Sequence, residues 1–250
     1  VDCLSRVGMF DEAQQIINDY EKSNLPSLIM YITSDVVSVF LLVAAMLSGA
    51  RNHRHVALSQ KLYDRMKYLF PDKKSDMISA SILLSNIYAS LGDDKLVQEI
   101  RENRIKEFGN KVKAAFSWTE VNGQLVGFKA HDRSHPQSDE IYAELNRLSN
   151  ELKEYGHEYD SSWITRPLEY GETIESVLCG HSEKLAIAFN FIQHRQPSLI
   201  QITKNLRVCG DCHSATKLIA KIRQCQIIIR DANRIHHFHM NGLCSCQDHF

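Results

Sequence analysis

Net charge is nearly absent from this sequence: 29 lysines and arginines face 30 aspartates and glutamates, leaving −1 over 250 residues. Bulk charge therefore gives no argument for a polyanionic ligand. Long apolar runs are also missing. The longest, Val36 to Leu47, is about half of what a membrane-spanning helix needs, so it is expected as a buried helix and no membrane association follows. The cysteines do not pair off. Cys3, Cys179, Cys209, Cys212, Cys225, Cys244 and Cys246 are seven, four of them in close pairs beside histidines, which argues for metal ligation over a secreted disulfide framework. With Val1 at the start and no signal or transit segment, the expectation is of a fragment whose location cannot be read directly.

What is present reads as globular. Hydrophobic content of 44% and charged content of 24% suit one or two domains with real cores. The charge is uneven, because Lys204 to Arg234 holds seven basic residues against Asp211 and Asp231. Such a stretch is a solvated face unless a site lies within it.

Up to about residue 108 the periodicity is helical throughout, as in Leu83, Leu84, Ile87, Tyr88 and Leu91. Asp11 is expected to cap a helix through Tyr20, and a second runs through Leu47 and stops at Gly49. Further helices span His53 to Leu69, Met77 to Leu91, and from a cap at Asp93 to Gly109. Gly8, Gly49 and Gly92, 41 and 43 residues apart, mark one helical hairpin per ~40 residues, the period of an α-solenoid. A plain three-hairpin domain fits the same pattern. After Gly109 the pattern changes. Phe116 to Val121 and Gln124 to Lys129 alternate around Asn122-Gly123, a hairpin signal. A helix from Ser138 to Tyr155 follows, then an aperiodic stretch from Gly156 to Gly180. Helix (181–191), strand (199–203), helix (211–223) and strands at 226–230 and 235–239 complete a mixed α/β sheet covered by helices.

Within that second half lies a pattern with chemical content. Hydrolytic deamination of cytosine needs an activated water, which a zinc ion with three protein ligands and one open position supplies. It also needs a proton carrier that does not ligate the metal. The matching pattern is His-x-Glu at one helix start and Cys-x-x-Cys at the next. Here His181-Ser182-Glu183 precedes Cys209-Gly210-Asp211-Cys212, with a strand between. His181, Cys209 and Cys212 are thus the expected ligands of a catalytic zinc, and Glu183 the proton shuttle. The generic pattern has Pro before the first Cys; this chain has Val208.

A second cluster remains: His213, His236, His237, His239, Cys244 and Cys246. Two Cys and two His make a closed structural zinc site. Cys244, Cys246 and His213 are chosen, with one of His236 and His237, since neighbours on a strand face opposite ways; His236 is preferred. The alternative is a solvated, His-rich tail.

These residues also carry a family resemblance. His181 to Ala188, Lys204-Asn-Leu-Arg-Val-Cys-Gly-Asp-Cys-His213, and His236-His-Phe238 through Cys246 closely resemble the DYW domain of plant pentatricopeptide repeat proteins. Ser117-Trp118 to Val121 and Ser134-His-Pro136 resemble its opening segments, Leu84 to Ala89 the E-type repeats ahead of it, and Val1 to Tyr20 a last true repeat. The resemblance implies the end of a repeat array over 1–31, E-type helical repeats over 32–108, and over 109–250 a cytidine-deaminase-like domain with a zinc-binding tail. It implies C-to-U editing of a cytidine in single-stranded organellar RNA, two zinc ions, other organellar editing factors as partners, and a plant organelle, chloroplast ahead of mitochondrion. Lys204, Arg207 and Arg230 become candidate RNA contacts. Trp118 and Trp163 could stack a base, Trp118 being expected in the core. The 156–180 stretch is expected as a lid. Two departures from the family pattern are Ala114-Ala115 where it has Pro-Gly, and Asp248-His249-Phe250 where it has Asp-Tyr-Trp. The competing readings are a non-catalytic zinc-stabilised module that binds RNA or docks a protein, and an RNA-cleaving domain.

Overall fold

A computed structural model describes residues 1–23, 34–109, 114–164, 166–193 and 196–248. The boundary expected between Tyr31 and Ile32 lies outside the described residues. The chain divides into two units, Val1–Val112 and Lys113–Phe250.

The first unit is helical, as its periodicity requires. Its helices are α1 (Asp2–Arg6), α2 (Phe10–Ser23), α3 (Ser34–Asn52), α4 (Val56–Leu69), α5 (Lys74–Ala89) and α6 (Asp94–Phe108). Asp93 caps α6 as expected, its carboxylate accepting from the Leu96 amide at 3.1 Å. Apolar faces of α2 to α5 meet in one core, where Phe40 and Phe70 cross edge to face at 5.2 Å.

Three expectations are corrected here. Asp11 does not cap α2; the helix begins at Phe10, and Asp11 and Glu12 occupy its first turn, where carboxylates favour the positive helix end. His53 does not open α4. Arg54 turns the chain at φ 53° and His55 is the cap, its ring accepting from the Leu58 amide at 3.3 Å. Gly49 does not end α3, which runs on to Asn52. A Cβ at Gly49 would lie 2.5 Å from both Cβ and carbonyl oxygen of Ser5, so this glycine is a contact point that lets α1 lie against α3. Of the three spaced glycines, Gly8 and Gly92 take positive φ at turns; the middle one serves packing.

The second unit opens with a hairpin, β1 (Phe116–Val121) and β2 (Gln124–Lys129), whose Asn122 and Gly123 both take positive φ, 53° and 76°, as a two-residue turn demands. After α7 (Ser138–Glu154) come a 3₁₀ turn at Ser161–Trp163 and the short α8 (Ile174–Cys179), two elements inside the stretch that had shown no period. Then follow α9 (Ser182–Phe191), β3 (Leu199–Lys204), α10 (Gly210–Ile222), β4 (Gln226–Arg230) and β5 (Ile235–Phe238). Strand order is β2-β1-β3-β4-β5, with β3 and β4 parallel and the other pairs antiparallel. Helix α9 packs on β1 to β3, α10 on β4 and β5, and α7 against both helices. Ile200, Ile202, Ile227, Ile229 and Phe238 point from the sheet into this layer, meeting Leu145, Leu148 and Leu185.

Buried polar groups fix how α9 and α10 meet. Lys184 of α9 is 1% exposed. Its ammonium binds the Asp211 carboxylate of α10 and donates to the Leu178 carbonyl of α8 at 3.1 Å. The other Asp211 oxygen lies 3.3 Å from His157 Nε2. One ion pair therefore joins both helix starts to α8 and to the chain leaving α7. Burial works against the charge on Lys184, but Cys212 and Asp211 outweigh it and hold its pKa above the ordinary lysine value.

Two outcomes test these contacts. Gly49→Ala is expected to cost the helical unit ~1–3 kcal/mol by overpacking against Ser5, read as a lower midpoint in far-ultraviolet circular dichroism; an unchanged midpoint refutes the contact. Lys184→Met strands the Asp211 charge in the interior and is expected to cost ~3–5 kcal/mol. Both tryptophans, Trp118 and Trp163, lie in the second unit, so tryptophan fluorescence during denaturation reports that loss. Lys184→Met with Asp211→Leu should recover most of it, because no charge is then left unpaired.

Candidate metal centre

His181 and Cys209 occupy equivalent places: each is the extended N-cap residue of its helix, α9 and α10. Cys212 sits one turn into α10, and its amide donates to Cys209 Sγ at 3.4 Å. Free amides and the dipole at such helix starts favour thiolates. His181 Nδ1 lies 3.3 Å from Cys212 Sγ and 3.5 Å from Cys209 Sγ. Tetrahedral zinc, with Zn–S ~2.3 Å and Zn–N ~2.0–2.1 Å, would space such N and S donors about 3.5 Å apart. All three donor atoms fall within 4.8 Å of one another, so the set fits one ion with a corner left for a non-protein ligand. The two thiols differ sharply. Contact with Cys212, reinforced by His181, draws Cys209 well below the ordinary thiol value despite burial, whereas burial and the Cys209 charge push Cys212 well above it. Gly210 between them has to be glycine, since a Cβ there would stand 2.1 Å from the Trp163 ring.

Glu183, two residues along α9, is fully buried and belongs to neither of the donor groups found among the described residues. Lys204 Nζ lies 2.5 Å from its Oε1. Ser182 Oγ donates to Oε2 at 3.3 Å and meets Ser117 Oγ at 2.9 Å, which ties the carboxylate to β1. Burial raises the Glu183 pKa, but the ammonium of Lys204 and the ring of His181 override it, so the group sits below the ordinary glutamate value. Lys204, expected as an RNA contact, is only 7% exposed; the alternation of β3 turns it inward onto Glu183. Arg207 is half-buried beside the Cys209 loop, and Arg230 is exposed at the end of β4.

The basic stretch is therefore not one face. Besides Lys204, Lys217 binds Asp248 at 2.7 Å, and Arg223 binds Glu144 and Glu151 at 2.6 and 2.7 Å. Trp118 differs from expectation too. Ser117 and Thr119 take the buried face of β1, leaving Trp118 half-buried on the other, stacked on Phe116 at 5.5 Å and covering Gly127. Trp163 packs on the Cys-x-x-Cys loop at Gly210. With His157 on Asp211 and Leu178 on Lys184, it fastens the 156–180 stretch to both ligand-bearing helices.

The tail folds into a second donor group. His213, His236, Cys244 and Cys246 bring four ligand atoms within 4.8 Å of one another. His213 Nε2 lies 3.1 Å from Cys246 Sγ, His236 Nδ1 3.8 Å from Cys244 Sγ, and the two sulfurs are 3.4 Å apart. His236 is fully buried, while His237 is half-buried with its amide bound to Ser245; strand alternation turns the two side chains opposite ways. The Cys246 hydrogen bond draws the Cys244 thiol down to about 7. His249 and Phe250 lie outside the described residues.

Sequence reading missed His131, which takes a left-handed φ of 60° after β2. Its amide donates to the Gly180 carbonyl at 2.7 Å, and its ring fills the space where a Gly180 Cβ would stand. Lys184 and Asp211 were also passed over, although each directly neighbours a residue already singled out.

Comparison with known proteins fits this geometry. Residues 156–250 match the DYW family of nucleic acid deaminases, and residues 127–152 match the E+ motif. Similar proteins include three pentatricopeptide repeat-containing proteins of Arabidopsis thaliana. One is 38% identical over 99% of this chain, another 35% over 100%, and a third, named as chloroplastic, 36% over 100%. The chain covers 26%, 33% and 26% of their respective lengths. No helix among the described residues is long and apolar enough to cross a membrane. Residues 127–250 are thus similar to an E+ motif followed by a DYW deaminase domain with a cytidine-deaminase-like fold, in a chain similar from end to end to pentatricopeptide repeat proteins.

Proposed function

We propose that this chain deaminates cytidine to uridine hydrolytically in single-stranded RNA, using zinc. The observation that carries the reading is a fully buried carboxylate, Glu183, beside three donors spaced for one tetrahedral metal but outside their set. His181, Cys209 and Cys212 would hold the ion. When bound, the metal supplies the Lewis acidity that makes water nucleophilic near neutral pH. Glu183 starts as the carboxylate, the form its Lys204 partner favours. Its oxygens accept a proton from the attacking water, pass it to the ring nitrogen, and assist departure of the 4-amino group as ammonia. Lys204 keeps the carboxylate oriented from β3, and Ser182 holds its second oxygen. A second zinc held by His213, His236, Cys244 and Cys246 would clamp the tail to α10.

The domain reading is proposed with the same boundaries: the end of a repeat array over 1–31, E-type repeats over 32–108, and the deaminase domain with its tail over 109–250. A division into units at residues 112 and 113 supports the last boundary. The RNA would reach the domain as an unpaired strand, with Arg207 and Arg230 as candidate contacts. Similarity to a protein named as chloroplastic supports a plastid setting over a mitochondrial one, with other organellar editing factors as partners.

Glu183→Ala should keep its zinc and stay folded, with a lower tryptophan unfolding midpoint because Lys204 loses its buried partner, while uridine formation falls by ~10²–10⁴ or more. Undiminished editing would turn the assignment toward a binding module, and strand scission in place of uracil toward a nuclease. At the tail, His236→Ala is expected to lose one equivalent of zinc on dialysis and His237→Ala none. The opposite pattern would reverse the choice of ligand.

A further inference from the structure

We propose that Asp231 is a positioning residue that couples the two metal groups, so that occupancy of the tail sets the geometry of Cys209. The inference rests on the zinc reading above and concerns how the two sites communicate.

Asp231 follows β4 directly and is buried. Its two oxygens have different duties. Oδ1 accepts from the amides of Asn233 and Arg234 at 2.7 and 2.9 Å, which fixes the carboxylate within its own turn. Oδ2 is shared. It accepts from the Val208 amide at 3.1 Å and from His236 Nε2 at 3.3 Å. Val208 immediately precedes Cys209. The opposite ring nitrogen of His236 faces Cys244. A carboxylate behind a ligating histidine fixes its tautomer and ring orientation, and removing such a partner typically costs ~10–100-fold in metal affinity. Here the same oxygen also anchors the loop that carries a ligand of the other group. A metal drawing on His236 Nδ1 sharpens the Nε2–H donor, holds Oδ2 in place, and thereby holds the Val208 amide and Cys209.

Val208 gives the link its specificity. Proline, which the generic deaminase pattern has before the first Cys, carries no amide hydrogen. A chain with proline there could not make this hydrogen bond. A purely local role for Asp231 would involve Oδ1 alone.

The test follows Zn²⁺ alone in the full 250-residue chain. Free zinc is lowered with graded chelator, and alkylation of Cys209 and Cys212 is resolved from that of Cys244 and Cys246 by peptide mass spectrometry. With the tail disabled by Cys244→Ser and Cys246→Ser, protection of Cys209 and Cys212 is expected to require about tenfold more free zinc. In Asp231→Asn or Val208→Pro chains that tail dependence should shrink to within about twofold, by the reciprocity of linked sites. Asparagine keeps an acceptor for the turn amides but points donors at Val208 and His236. Val208→Pro removes the single amide, leaves Asp231 and His236 intact, and decides the matter should Asp231→Asn fail to fold. An undiminished tail dependence in Val208→Pro overturns the inference. So does a wild-type chain that binds zinc at both groups with no tail dependence. A wild-type chain in which zinc never protects Cys209 and Cys212 instead overturns the zinc reading itself.

Discussion

Taking Lys184 and Asp211 out of water together is the step on which the site's geometry depends. Each ion alone would carry a desolvation cost of several kcal/mol, and their attraction offsets it only if geometry and further hydrogen bonds are good. Those conditions are met: the Leu178 carbonyl takes part of the ammonium's donor capacity, and His157 the second carboxylate oxygen. The pair therefore acts less as a source of stability than as a constraint on register. Lys184 is three residues from His181, and Asp211 lies between Cys209 and Cys212. Any slippage of α9 against α10 that pulled His181 from the thiols would also expose two buried charges, so metal geometry and ion-pair geometry are one condition.

Charge balance around the pocket follows. Lys184 is matched by Asp211 and Lys204 by Glu183. Among the donors themselves, contact between the sulfurs draws Cys209 down, while burial and that same contact push Cys212 up. A dication held there would supply positive charge that favours the thiolate form of both. Lys204, turned inward, favours the ionised form of Glu183, which a surface lysine could not do.

Legibility from sequence tracked the range of the interaction. The hairpin at Asn122-Gly123 and the cap at Asp93 are decided within a few residues, and they stand where expected. The donor groups were readable because cysteine and histidine in such clusters have few other uses. Gly49 was misread because close approach of a distant helix and a helix stop call for the same residue, and only Ser5 distinguishes them. Trp118 was misplaced because alternation gives a strand two faces without saying which is covered. Lys204, Lys184 and Asp211 were hidden for a common reason. A charged residue in sequence reads as solvated, and burial becomes visible only with its partner, which here lies 21 residues away for Lys204 and 27 for Lys184.

The second group of donors makes sense against the same background. The first turn of α10 holds Cys212 facing one group and His213 facing the other. The Cys209 loop has no such covalent neighbour in the tail, and its connection runs through the Asp231 carboxylate instead. His236 lies within β5 and Cys244 and Cys246 follow it; a metal held there would brace the turn that carries Asp231 and, through it, the Cys209 loop.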